Sequence, residues 1–340
     1  MKQSMRAAVL VLYSCLMLTL LAGRASAALP DMNEPVRVFH FVLRKVSLDD
    51  ARKMTREAKR AGFNAIQATV ADGVRLDHAP WKPLPDAWTK AEFLAWVNET
   101  RSQGLEFIPE LKLLTHQEKF FQNGKKELMF NRSTYDPRNE KTYEFVFALL
   151  DEIITAIHPK AIHIAHDEVA GHNTRSRGKW LGPGEDMLPA ELFLKDVLRV
   201  HGHLKKRGVE TWIWGDMLIN PREFPGMLDK HLHGSAQGYG KALRDKLPRD
   251  IVICDWHFTD DQLEFPSLSV MRKEGFRVIG ATWKKGRTIR NFSSFAAGHG
   301  ASGMIATTWF HVQRREWDVV EKIIRTSGEV FLKDFPDGRR

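Results

Sequence analysis

At 340 residues, 43% hydrophobic and 27% charged, the chain carries enough apolar material for one large core, and no stretch has the composition of a disordered segment. Its formal charge of +9 comes from 51 Lys and Arg scattered among 42 Asp and Glu, without a basic stripe interleaved with aromatics, which argues against a nucleic-acid partner. Two cysteines, Cys15 and Cys254, are too few for a disulfide scaffold.

Residues 1–27 have the layout of a secretory signal peptide. Lys2 and Arg6 give a basic start, an apolar run follows from Ala7 to Ala22, and Ala25-Ser26-Ala27 supplies a small-residue cleavage site before Ala28. The run is short for a membrane span, which needs about 20 residues. The expectation is an exported chain, periplasmic or secreted, with no stable membrane insertion once the leader is removed. Loss of Lys2, Arg6 and Arg24 would take the charge to +6. Cys254 would then be the one remaining cysteine, and it reads as a buried small apolar residue in a strand.

From residue 28 to 340 the pattern alternates between short β-rich runs and amphipathic stretches. Eight strands are predicted: Val36–Val42, Ala65–Thr69, Glu106–Pro109, Ala161–Ala165, Glu210–Gly215, Ile251–Asp255, Arg277–Thr282 and Gly303–Thr308. The clearest helices between and after them are Leu48–Ala61, Thr89–Gln103, Arg138–Ile157, Pro189–Arg207, Pro266–Glu274 and Trp317–Phe331. Gly62, Gly104, Gly208 and Gly275 each stop a helix and feed a strand. Strand–helix alternation predicts a parallel sheet. Eight repeats without a glycine-rich phosphate loop predict a single closed (β/α)8 TIM barrel over a doubly wound sheet. The longest connection, Asp216 to Asp250, contains His231 and His233 and reads as a wall of the site.

In such a barrel the chemistry sits at the C-terminal strand ends. Those ends carry Glu110 and, a little later, His116; His166-Asp167-Glu168; Trp214-Gly215-Asp216; Asp255-Trp256-His257; Trp283-Lys284; and Trp309-Phe310-His311. Four of ten tryptophans thus stand at the mouths of strands, where indole faces would suit the apolar face of a sugar ring. On the fourth strand, alternation turns Ile162 and Ile164 toward the helices and His163, Ala165 and Asp167 toward the interior, with Glu168 following at the turn. Two adjacent carboxylates in a water-poor pocket repel, which tends to keep one protonated beside an ionised partner, as glycosidic cleavage requires. A hydrolytic metal held by His163, His166 and Asp167 is disfavoured because the two histidines point to opposite faces. No metal and no cofactor is expected.

These segments resemble a known family. His163-Ile164-Ala165-His166-Asp167-Glu168 is similar to the H-x-G-G-D-E motif of family 20 glycoside hydrolases, the β-N-acetylhexosaminidases. Pro109 to His116 resembles that family's P-E-I-D-M-P-G-H segment. Trp214-Gly215-Asp216-Met217-Leu218 resembles the W-D-D-M-L run of the hexosaminidase D-like branch, with Lys285-Gly286 as a further match. The resemblance spans Val36 to Phe331. It implies a retaining reaction on an N-acetylhexosamine-containing glycan in which the substrate's own acetamido oxygen is the nucleophile. Asp167 would hold the acetamido N–H, Glu168 would be the acid and then the base, and His116 and His163 would orient the carboxylates. Asp216 would bind a sugar hydroxyl or the acetamido surroundings, Trp214, Trp256, Trp283 and Trp309 would wall the ring, and Arg44 would contact the sugar. The sequence departs from the motifs where Ala165 and His166 replace the two glycines, Lys112 replaces an acidic residue, and Phe310 and His311 follow Trp309. Those departures keep two other readings open: a non-catalytic glycan-binding barrel and a metal-dependent sugar deacetylase.

Overall fold

A computed structural model describes residues 35–119, 121–169, 181–227 and 233–338. The expected signal peptide and its cleavage site, and His231, lie outside the described residues. Eight parallel strands close on themselves in sequence order: β1 (Val36–Leu43), β2 (Ala65–Val70), β3 (Glu106–Leu113), β4 (Ala161–Ala165), β5 (Glu210–Trp214), β6 (Val252–Trp256), β7 (Arg277–Thr282) and β8 (Gly303–Thr307). Closure is made by β8 against β1, with Val38 opposite Ile305. Among the described residues one main helix follows each strand, α1 (Leu48–Arg60), α2 (Lys90–Ser102), α3 (Glu140–Ile157), α4 (Ala190–Lys205), α5 (Lys241–Arg244), α6 (Pro266–Lys273), α7 (Gly286–Gly298) and α8 (Trp317–Asp334), and a further short helix, Phe121–Gly124, lies between β3 and α3. The fold is therefore the predicted (β/α)8 barrel.

Strand alternation divides the core into two layers. Phe39, Phe41, Ile66, Phe107, Leu111, Ile162, Ile164 and Ile213 pack outward under the helices. Val38, Ile108, Ala165, Trp212, Trp214, Cys254, Trp256, Ile279 and Ile305 fill the barrel. Trp96 of α2 is fully buried and meets Phe41, Trp88 and Phe107 edge-on at 5.2–5.8 Å, and a ring buried in this way contributes about 1.5–3 kcal/mol. Helix starts follow the sequence: Ser47 caps α1, and Thr89 with Glu92 forms a reciprocal capping box on α2. Gly62, Gly104, Gly208 and Gly275 all take left-handed φ (92°, 73°, 70° and 90°), as helix-stopping positions require. Among the described residues no helix is long and apolar enough to cross a membrane.

Two elements differ from expectation. β3 runs on from Pro109 to Leu113, with Pro109 paired opposite Ala68 and the register against β4 shifting between Glu110 and Leu113. A proline normally argues against a central strand because it cannot donate to the ladder, and here the irregularity follows it. Helix α7 was not among the predicted helices because polar residues occupy its buried face: Thr288 and Ser293 are buried and donate to Asp260 O (2.6 Å) and Asp334 Oδ2 (2.7 Å).

Candidate active site

The extension of β3 puts Glu106, Ile108, Glu110 and Lys112 in one inward column rising to the mouth. Glu110 is fully buried, and its carboxylate is surrounded by donors: Gln67 Nε2 (3.1 Å), Thr69 Oγ1 (2.8 Å), Trp214 Nε1 (3.3 Å), His40 Nε2 (2.9 Å) and Lys112 Nζ (3.1 Å). Burial pushes the Glu110 carboxyl up, but Lys112 and His40 outweigh it and hold it well below the usual carboxylate range. The Lys112 ammonium continues upward to Asp167, 3.5 Å from each of its oxygens, and lies 5.0 Å over the Trp309 ring. Burial works against its charge, yet Asp167 and Glu110 raise its pKa above the ordinary lysine value.

Asp167 and Glu168 are both buried at the end of β4. His116 stands between them, its Nε2 3.1 Å from Asp167 Oδ2 and 3.7 Å from Glu168 Oε2. Burial raises the Asp167 carboxyl, while Lys112 and then His116 outweigh it and hold it well below its ordinary value. His116 is in turn raised, Asp167 overcoming the effect of burial. Asp167 is thus held as the anion.

His163 faces the interior, as alternation requires, at 4.3 Å from the Trp214 ring. Burial lowers its pKa to about 3, so the ring is neutral. Its Nδ1 accepts the Ala165 N–H at 3.1 Å, which places the remaining proton on Nε2. His163 therefore steadies the backbone beneath Asp167 and makes no hydrogen bond to either carboxylate. His166 points the opposite way, into the helix layer, where Nε2 meets Asp196 of α4 at 2.8 Å. Ala165, His166 and Glu168 all adopt left-handed φ (62°, 66° and 51°), a conformation costing about 1–2 kcal/mol for each non-glycine residue.

Asp216 takes a place different from the expected one. It is 1% exposed, and its oxygens accept from the Glu168 N–H (2.9 Å), His233 Nδ1 (2.7 Å) and Trp256 Nε1 (3.2 Å). These bonds fix the turn carrying Glu168 and leave the carboxylate facing protein donors. His233 comes from the long β5–β6 connection, which the sequence marked as a site wall. Burial lowers the His233 pKa, but the Asp216 hydrogen bond outweighs it and raises the net value. That connection is anchored by the buried Arg244, which donates to Leu218 O (2.6 Å) and pairs with Glu223 (2.6 Å) and Glu274 (2.7 Å).

The four mouth tryptophans divide by exposure. Trp214 and Trp256 are buried and spend their N–H groups on Glu110 and Asp216, so Trp214 is floor where a wall was expected. Trp283 and Trp309 are partly exposed. Phe258, which sequence reasoning missed, joins them: it stacks on Trp256 at 4.7 Å and lies 5.8 Å from Trp283 and 6.1 Å from Trp309. A lone Phe after Trp256-His257 gave no signal of its own. Arg44, just past β1, pairs with Asp72 at 2.9 Å and keeps some exposure at the rim. Cys254 is fully buried inside the barrel, and burial raises its thiol well above the ordinary value.

His116, Asp167 and Glu168 bring ligand-type atoms within 4.8 Å of one another, the group among the described residues best placed for a cation. The Lys112 ammonium already supplies positive charge there, 3.5 Å from each Asp167 oxygen. The donor set suits an internal ion pair better than a divalent metal.

A closed barrel with two adjacent buried carboxylates under an aromatic wall at its C-terminal mouth defines a class of carbohydrate-processing sites. The model of glycosyl hydrolase family 20, catalytic domain, matches residues 86–284, and the chain belongs to that family. The fold is similar to a β-N-acetylhexosaminidase from Bacteroides fragilis NCTC 9343, with a TM-score of 0.63 and 15% identity, over 88% of this chain and 66% of that one. It is also similar to the Streptomyces plicatus N-acetyl-β-hexosaminidase solved with Thio-NAglucal, with a TM-score of 0.60 and 14% identity, over 87% of this chain and 63% of that one. A third similar structure is the exo-β-N-acetylglucosaminidase of Vibrio harveyi in complex with N-acetylglucosamine, with a TM-score of 0.59 and 13% identity, over 88% and 54% of the two chains. This chain therefore spans between about half and two thirds of the length of these three proteins. No curated protein matches it.

Proposed function

We propose that the protein is a retaining β-N-acetylhexosaminidase that uses the substrate's acetamido group as nucleophile. One observation carries the reading: Asp167 is pinned as an anion by Lys112 and His116 directly beside Glu168, beneath partly exposed indoles. The acetamido carbonyl oxygen attacks C1 while Glu168 gives its proton to the leaving oxygen, and the C1–O bond breaks. The cation is then shared over the oxazolinium ring, whose N–H is held by the Asp167 carboxylate. Glu168, now ionised, takes a proton from the water that attacks C1, the acetamido group re-forms, and configuration is retained. A fixed anion aimed at developing positive charge is the kind of preorganised electrostatics that lowers a barrier most.

The glycan-binding alternative has no use for two buried carboxylates held by a histidine, and the deacetylase alternative would need a divalent ion beside Asp167, whose charge the Lys112 ammonium already meets at 3.5 Å. The run from Trp214 to Leu218 favours the hexosaminidase D-like branch. The leader-like residues 1–27 support export, which N-terminal sequencing of protein from the secreting host tests: a start at Ala28 agrees, and a full-length chain in the membrane fraction does not. Activity is tested by screening purified protein against aryl N-acetylglucosaminides and N-acetylgalactosaminides. Release of the aryl group from at least one agrees with the proposal. Binding without turnover of either would favour the glycan-binding barrel.

A further inference from the structure

Behind the carboxylate pair lies a second buried polar cluster that the reaction does not touch. Asp196 of α4 is fully buried, and its carboxylate collects three groups from three different elements. Oδ2 accepts from His166 Nε2 at 2.8 Å and from the Tyr135 hydroxyl at 3.0 Å, and Oδ1 accepts from the Tyr143 hydroxyl of α3 at 2.7 Å. His166 is fully buried too, and its other ring nitrogen faces Ile164 O at 2.8 Å. The ring thus spans the Ile164 carbonyl and the Asp196 carboxylate, tying the β4 turn to α4. Tyr135 belongs to the β3–α3 loop, and its N–H donates to Leu114 O at 3.0 Å, two residues before His116. Leu114 and His116 are themselves held at left-handed φ, 63° and 57°.

We infer that Asp196 is a positioning residue that sets the catalytic geometry by clamping two strained turns to one carboxylate. Through His166 it holds the turn that presents Asp167 and Glu168. Through Tyr135 it holds the loop that presents His116. In the motif this chain resembles, glycines make the β4 turn conformation easy. Here Ala165 and His166 do not, and the His166–Asp196 contact supplies the restraint that glycine's freedom made unnecessary. The contacts of His116 with Asp167 (3.1 Å) and Glu168 (3.7 Å) are where the two clamped turns meet. His166 thus acts on the site from the far side of the strand, with no contribution of bulk or charge within the pocket.

The consequence for catalysis rests on the proposed hexosaminidase reaction, and the test separates the two. Tyr135→Phe removes one hydroxyl and keeps the ring. His166→Ala keeps a Cβ on the left-handed backbone and removes the anchor. Both are compared with wild type, as full chains, on an aryl N-acetylhexosaminide that wild type cleaves, and by NMR of the His116 ring, identified by its absence in His116→Gln. Misplacement of reacting groups costs up to on the order of 100-fold, so kcat should fall roughly 10- to 100-fold in His166→Ala and about threefold or more in Tyr135→Phe, with KM within about twofold. The titration midpoint of His116 should move down in both as its contact with Asp167 loosens. A purely structural cluster would lower the melting temperature and leave kcat and the His116 midpoint where they were, and that result overturns the inference. If His166→Ala does not fold, Tyr135→Phe decides by the same two readouts. If wild type cleaves no acetamido sugar, the hexosaminidase reading fails and the His116 midpoint alone decides the clamp.

Discussion

Lys112 Nζ lies 3.5 Å from both oxygens of Asp167, and the same ammonium is 3.1 Å from Glu110 Oε1 below. One half-buried cation thereby joins the carboxylate of the reaction centre to the polar floor of the barrel. In Lys112→Met, Asp167 loses the charge that does most to hold it ionised, so its carboxyl moves up. Wild type should keep Asp167 ionised far into acid, and the acid limb of kcat/KM should shift to higher pH in the variant. The same sign applies to folding: the stabilisation from a depressed carboxyl is whole above the unfolded value of about 3.9 and is lost as pH falls through the lower folded one. Breaking a buried pair costs about 3–5 kcal/mol, and the smaller figure is expected because Glu110 keeps its other donors. A pH–rate profile and a denaturant melt check both; superimposable acid limbs would remove Lys112 from this role.

The two carboxylates should fail differently. Glu168→Gln lacks the proton donor, and loss of general acid catalysis is typically about 100- to 10,000-fold. The loss should be large on glycans and poor leaving groups and small on activated aryl glycosides. Asp167→Asn removes the fixed anion and should be slow on both. Equal, minor losses across a leaving-group series would mean that neither group sits at the reaction centre.

An intramolecular nucleophile has a large effective-concentration advantage, so matched aryl glycosides lacking the 2-acetamido group should be turned over very poorly even when they bind. A thiazoline mimic of the cyclised intermediate should inhibit more tightly than the free sugar product. Comparable turnover of both glycosides, with no thiazoline inhibition, would sink the substrate-assisted mechanism.

Asp216→Asn turns an acceptor of three hydrogen bonds into a group that must present an N–H to donors. An unmatched buried polar group costs about 1–3 kcal/mol, and the turn bearing Glu168 loosens with it. The expected pattern is a lower kcat with little change in KM, measured beside a thermal melt. A large rise in KM at unchanged kcat would instead assign Asp216 to direct sugar contact.

Dialysis against a chelator should leave activity intact, since Lys112 supplies the positive charge beside Asp167. Activity lost on dialysis and restored by zinc would bring back the deacetylase reading.

The barrel was legible because period-2 and helical patterns alternate along the chain with glycine stops between them. The carboxylate pair was legible because its position at a strand end follows from that order. The floor of the site was not. Glu110 and Lys112 lay beyond a proline that seemed to end β3, and the donors around Glu110 come from three other strands whose register the sequence does not state. Asp216 and Trp214 were assigned to the sugar by their place at a strand end, whereas burial turns both toward protein partners. Phe258 and Asp196 reach the site or its supports across the tertiary fold, and no local periodicity marks such contacts; His233 lay in the connection read as a site wall, but its pairing with Asp216 was not legible.

Cys254 points into the barrel from β6, in register with Trp214 on one side and Ile279 on the other, and no solvent reaches it. A thiol reacts as its thiolate and only when a reagent can approach it. In a Cys15→Ser chain, where Cys254 is the last thiol, the rate of labelling becomes a clock for parting of the staves around β6. Bound ligand that bridges β4, β5 and β8 at the mouth should slow that clock, which would report occupancy of the site without any turnover.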